Sequence, residues 1–241
     1  MKPIRWVISL IFILQMYVMM PIFGLVFLPW ALVSPKGAHT ACWLYARYVM
    51  WTARWMVGIK HEVRGTPPTE ECLVAAKHQS FFDIIIIFSH VPWGKFIMKR
   101  ELLYAPIIGQ YSYRLGCVPV ARGKRAEAIK KMVKDVQAGL ANPGQLCIYP
   151  QGTRVSPGAQ TSYKVGTYAL YRELGQPCVP VAVNVGLFWP RKGIMRTPGT
   201  AVVEFLEPIE PGLDQAAFME RLETAIETRS NELMAEAGFT G

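Results

Sequence analysis

No aspartate or glutamate precedes Glu62, and no charged side chain of either sign lies between Arg5 and Lys36. A stretch this bare of charge excludes a solvated surface helix, which needs one polar face. About 20 helical residues cross a bilayer core, so residues 6–35 are long enough to span or to fold back. Lys2 and Arg5 could open a cleaved signal peptide, but the apolar run is too long and has no small-residue cleavage site. Pro21 and Pro29 interrupt a simple helix. Two geometries follow: one kinked span, or two helices burying a face in a single leaflet. Metal-binding and disulfide signals are also missing. Cys42, Cys72, Cys117, Cys147 and Cys178 stand singly, with no CxxC pair. Free thiols in a reducing compartment are expected. Of four histidines, three lie outside any ligand-like spacing, so no metal site is expected.

Charge is present, but unevenly. Up to residue 203 there are 24 Lys and Arg against 8 Asp and Glu; beyond it the balance is 2 against 9. A basic body behind an apolar entry suits an anionic cytoplasmic leaflet. Nucleic acid would attract the same charge, yet no recognition module accompanies it, and no nucleic-acid partner is expected.

Residues 39–60 are expected to form a second helix, whose Trp43, Tyr45, Tyr48, Trp51 and Trp55 alternate with Arg47 and Arg54. That mixture favours a headgroup boundary, although aromatics at helical spacing also serve cores. From residue 61 short elements alternate. Strands are expected at 72–78, 94–100, 114–122, 145–150, 178–186 and 200–209, and helices at 81–90, 123–139, 164–175 and 214–238. The 123–139 helix has Ile129, Met132, Val133 and Val136 on one side and a lysine- and arginine-rich opposite face. Alternation of this kind predicts an α/β fold: a three-layer domain with a central, mostly parallel or mixed sheet. Residues 1–60 would be membrane-anchoring helices and residues 61–241 the α/β domain.

The segment most informative for chemistry is KHQSFFD, residues 77–83. His78 stands where an apolar strand gives way to a loop, the usual place for a site in such folds. Asp83, five residues on, can return to the imidazole through one turn of helix. An Asp on one ring nitrogen fixes the tautomer and makes the other a base for a hydroxyl. Ser80 would cap the helix; no G-x-S-x-G elbow surrounds it to make it a nucleophile. The loop QGTR (151–154) follows another strand. Gly152 there allows a tight backbone approach, and Arg154 offers a fork of donors to a phosphate. Lys99, Arg100 and Arg122 also lie near strand ends and suit an anionic headgroup.

Four ordered blocks resemble the PlsC-like glycerolipid acyltransferases, the 1-acyl-sn-glycerol-3-phosphate acyltransferase family. KHQSFFD matches the His-x4-Asp block. KRELLYAPIIGQYSYRLGCVPVAR matches the second block through Lys99, Glu101, Leu102, Pro106, Gly109, Gly116 and Arg122. YPQGTR and VPVAVN (179–184) match the third and fourth. The resemblance implies a fatty acyl transfer to the sn-2 hydroxyl of lysophosphatidic acid, giving phosphatidic acid. His78 would be general base and Asp83 its orienter. Lys99, Arg122 and Arg154 would bind the acceptor phosphate, with Gln151, Gly152 and Thr153 shaping the loop. No cofactor is implied; acyl-CoA or acyl carrier protein is co-substrate, and membrane lipids and a lysophospholipid are partners. The implied location is the cytoplasmic face of a bacterial inner membrane.

Two positions depart from the family pattern: Lys77 stands for the usual Asn, and Gln151 for the usual Glu. They leave open another acceptor, such as lyso-ornithine lipid, or a catalytically silent lipid-binding scaffold. The intact His78 and Asp83 oppose the scaffold.

Overall fold

A computed structural model describes residues 2–120, 130, 133–134 and 144–240. Arg122 and nearly all of the basic helix expected over 123–139 lie outside the described residues.

The uncharged entry forms α1 (Lys2–Val26), with Pro21 inside it, then short α2 (Leu28–Val33). α3 (Pro35–Val57) starts four residues earlier than the aromatic pattern predicts: Pro35 takes a first-turn position and the Ser34 side chain accepts from Lys36 N–H. Phe23 packs on Tyr45 and Tyr48, whereas Gln15 bonds Tyr48 and Thr52, so α1 and α3 run antiparallel as a hairpin. One side of α1 is spoken for: Phe12 and Met16 are buried in the main core. Its other side leaves Ile4, Val7, Ile11, Leu14 and Val18 exposed. Among the described residues α1 alone is long and apolar enough to cross a membrane.

Among the described residues seven strands form one mixed sheet in the order β1-β7-β6-β2-β5-β3-β4. They are β1 (Ile59–Arg64), β2 (Leu73–Ala76), β3 (Gly94–Lys99), β4 (Val118–Val120), β5 (Gln145–Ile148), β6 (Cys178–Val183) and β7 (Gly199–Phe205). All neighbours pair in parallel except β6 with β7. Every residue of β2, β5 and β6 is buried, as central strands covered on both faces require. β2 shows the period of two directly: Val74 and Ala76 join the core that includes Phe12, Val49 and Ile86, while Leu73 and Ala75 join that of Leu170, Phe218 and Leu222. α3 and α4 (Phe82–His90) thus lie on one face. α6 (Gly166–Leu174) and α7 (Gln215–Glu236) lie on the other, completing three layers.

α5 (Ile108–Leu115) is the helix that sequence patterning did not foresee. Its eight residues are polar enough to pass for a loop, and tertiary packing holds them: a Cβ at Gly109 would sit 1.9 Å from the Leu103 carbonyl oxygen. The Tyr111 hydroxyl also donates to the Gly24 carbonyl at 2.7 Å, tying α5 to α1.

Because β2, β5, β3 and β4 are parallel, their C-terminal ends open on one edge of the sheet. That edge receives KHQS after β2, YPQGTR after β5 and Lys99 at the end of β3. Residues far apart in the chain are gathered there by topology alone.

Candidate active site

His78 leaves the buried end of β2, and α4 turns back so that Asp83 Oδ1 lies 2.9 Å from His78 Nδ1. The carboxylate is fully buried and its second oxygen is occupied too: it accepts from Gln79 N–H at 2.9 Å and Ser80 N–H at 2.7 Å. Those donors fix the carboxylate, and the carboxylate fixes the ring. With Nδ1 facing Asp83, the neutral imidazole carries its proton there and presents an unprotonated Nε2. The His78 side chain keeps 14% of its surface exposed, so the loop does not seal it away.

Ser80 is buried, and its Oγ accepts from Phe82 N–H at 3.1 Å at the entry to α4. The helix N-cap itself is Phe81, one residue later than the position predicts, and it makes no side-chain cap bond; Ser80 secures the turn that enters α4. The thiolate form of the central cysteines is disfavoured by burial. Burial pushes the Cys72 thiol up to about 12 and raises Cys147 well above its ordinary value.

Tyr149 is a contributor that sequence reasoning passed over. Its ring stacks on the His78 imidazole at 3.9 Å between centroids and 19° between planes. Burial first, and the nearby Asp83 carboxylate second, raise its phenol well above the usual value, so it remains neutral. The aromatic position opening YPQGTR was visible in the sequence, but its contact with His78 depends on the β2–β5 pairing.

The QGTR loop folds back against the histidine: Val155 N–H donates to the His78 carbonyl at 2.7 Å. Gly152 is left-handed, φ +67°, and a Cβ would meet only Lys164 Cγ at 3.8 Å. Its role is conformational; the close backbone approach expected there is not what demands glycine. Thr153 and Arg154 are half-buried, and the Arg154 carbonyl accepts from Arg191 at 2.7 Å. Arg191 is a second basic residue at this loop that no sequence block had marked. Lys99 is exposed at the end of β3 beside exposed Arg100. Arg122 lies outside the described residues. Gln151 is buried, with Nε2 directed at Glu227 of α7 at 3.4 Å.

A histidine held by a locked carboxylate at a sheet edge, beside a Gly-Thr-Arg loop, is chemically suited to deprotonating a hydroxyl near an anionic group. The family model described as Acyltransferase matches residues 59–184, from the start of β1 through β6. The chain belongs to the PlsC-like acyltransferase family. Its similarity includes the 1-acyl-sn-glycerol-3-phosphate acyltransferase of Pseudomonas aeruginosa, 32% identical over 66% of this chain and 63% of that protein. It also includes the human 1-acyl-sn-glycerol-3-phosphate acyltransferase alpha, 28% identical over 72% of this chain and 63% of that one. The chain thus matches a little under two thirds of the length of these curated relatives. In fold, it resembles the crystal structure of the 1-acyl-sn-glycerophosphate (LPA) acyltransferase PlsC from Thermotoga maritima, with a TM-score of 0.80 at 22% identity over 98% of both chains. The PlsC-like architecture therefore extends through the N-terminal hairpin as well as the sheet.

Proposed function

We propose that the chain transfers a fatty acyl group from acyl-CoA or acyl carrier protein to the sn-2 hydroxyl of lysophosphatidic acid, giving phosphatidic acid. The observation that carries this reading is the His78–Asp83 pair, 2.9 Å apart at the edge where the YPQGTR loop also arrives. His78 Nε2 takes the proton of the acceptor hydroxyl as the oxygen attacks the thioester carbonyl. The tetrahedral oxyanion collapses, the C–S bond breaks, and the thiolate leaves with the proton that His78 held. Asp83 stabilises the imidazolium between those steps and keeps the ring from turning. No covalent acyl-enzyme is needed, in keeping with the buried thiols.

Lys99, Arg122 and Arg154 are assigned to the acceptor phosphate, and Gln151, Gly152 and Thr153 to the shape of the loop that carries Arg154. Residues 1–60 are assigned to the membrane, where both acyl chains reside. The exposed apolar side of α1 supports that assignment, and the basic surplus supports the cytoplasmic face of a bacterial inner membrane.

The test is acyl transfer from labelled acyl-CoA, and separately from acyl carrier protein, by the detergent-solubilised chain. Label is expected in phosphatidic acid with wild type and at background with a folded His78→Ala variant. Absence of product from both donors removes lysophosphatidic acid as acceptor and directs the assay to a phosphate-free lysolipid such as lyso-ornithine lipid.

A further inference from the structure

The two departures from the family pattern, Lys77 and Gln151, meet on one carboxylate. Lys77 Nζ donates to Glu227 Oε2 in a short ion pair. Gln151 Nε2 donates to Glu227 Oε1 at 3.4 Å, and the Tyr163 hydroxyl donates to the same oxygen at 2.9 Å. Lys77 immediately precedes His78 and its side chain is only 2% exposed. Gln151 opens the QGTR loop, and Tyr163 lies just beyond that loop, before α6. Burial first and Glu227 second raise the Tyr163 phenol well above its usual value, so it serves as a neutral donor.

An ammonium this buried needs a counter-charge, and removing the partner of a buried pair is far costlier than replacing both. In the family pattern, position 77 is a neutral Asn and position 151 supplies a carboxylate from the loop itself. Here position 77 has gained a positive charge, position 151 has lost its negative one, and α7 supplies Glu227. Resting on the reading of His78 as general base, we infer that Glu227 takes over the carboxylate usually carried at position 151. It is a positioning residue, which holds the segment entering His78 and the QGTR loop in register through Lys77 and Gln151. The Val155–His78 backbone bond completes the same tie from the other end of the loop.

The arrangement predicts a rescue. Exchanging the two side chains, Gln151→Glu with Glu227→Gln, moves the negative charge across one hydrogen bond and keeps an amide donor between the positions. In the full-length protein in detergent, Glu227→Gln alone should lower Tm by about 10 °C, as for an unpaired buried charge. Assayed well below that Tm, it should lose at least about tenfold in kcat. The exchange should recover Tm to within about 3 °C and kcat to within about threefold. Where Glu227→Gln does not fold, Lys77→Asn with Gln151→Glu in the same background restores the family pairing and should give a folded, active protein. Retention of wild-type kcat by Glu227→Gln overturns the inference, as does an exchange that restores Tm without rate. The melting cycle needs no substrate: additive effects of the two substitutions on Tm overturn the pairing whatever the acceptor. A folded wild type that leaves lysophosphatidic acid unmodified, with the melting cycle still coupled, counts against the acceptor and not against Glu227.

Discussion

Helix α7 carries ion pairs of two kinds within three residues, and their settings differ more than their geometry. Glu227 points inward, to an ammonium with almost no contact with solvent. Arg229 reaches Glu204 at 2.9 Å, Glu232 at 2.8 Å and Glu236 at 3.0 Å, while Glu236 also meets Arg64. The Arg229 network joins α7 to β7 and to the end of β1; Glu232 and Glu236 are open to water, whereas Arg229, Glu204 and Arg64 are half-buried. Exposed pairs are typically worth less than about 1 kcal/mol, whereas breaking a buried one costs about 3–5 kcal/mol. Contact number therefore misranks them: the cluster with more bonds is the one the fold can more readily lose.

The sharpest break in that comparison is at the innermost charge. Asp83→Asn retains the size of the buried group but surrenders its charge and alters which hydrogen bonds it can make. A rate loss on the order of a thousandfold is expected in the acyl-transfer assay, within the range for general-base catalysis. Next comes the asymmetry inside the buried pair. Lys77→Met strands Glu227, which is 25% exposed and retains Tyr163 and Gln151, so its Tm loss should be about half that of Glu227→Gln. Equal losses in thermal melts would mean that the two ends are equally hydrated. Gly152→Ala follows: the left-handed φ of +67° costs an alanine about 1–2 kcal/mol. Circular dichroism should show a Tm drop of a few degrees, and kcat should fall with it because the loop carries Arg154.

The smallest effect belongs to the surface. Arg229→Ala should move Tm by no more than about 3 °C, and high salt should erase most of the difference. The network also has a pH signature. The Arg64 hydrogen bond, followed by its charge and the contacts to Arg229, holds the Glu236 carboxyl below its usual 4.5. A depressed folded-state value means that the contribution is complete above the unfolded value and is lost as pH falls through the folded one. Titration melts should show the wild-type advantage over Arg64→Ala shrinking below pH 4.5, not between pH 5 and 8.

Much of this was legible in the residues. His78 and Asp83 were readable because their partnership is local: five positions, one turn, one helix start. The sheet was readable because each buried strand is a short apolar run bounded by polar loops. α5 was not, since its helical state is imposed by packing against α1 and the segment before it. Tyr149 escaped because stacking on His78 is set by strand order, which the sequence does not spell out. Glu227 was hidden most thoroughly. On a strongly acidic helix it looks like any solvated glutamate, and only the docking of α7 separates it from Glu223 or Glu232.

The docking of α7 also has a consequence in time. Ser230 Oγ accepts from Val183 N–H, Asn184 donates to the Leu233 carbonyl, and Gln79 reaches the Met234 sulfur, so the late helix closes on the second central strand and on the His78 loop. During synthesis the apolar hairpin emerges well before residues 215–236 are translated. A nascent chain halted before residue 215 would already hold His78 and Asp83, yet lack the wall that braces them. Activity would thus appear only once residues 215–236 have docked on β6 and on the His78 loop.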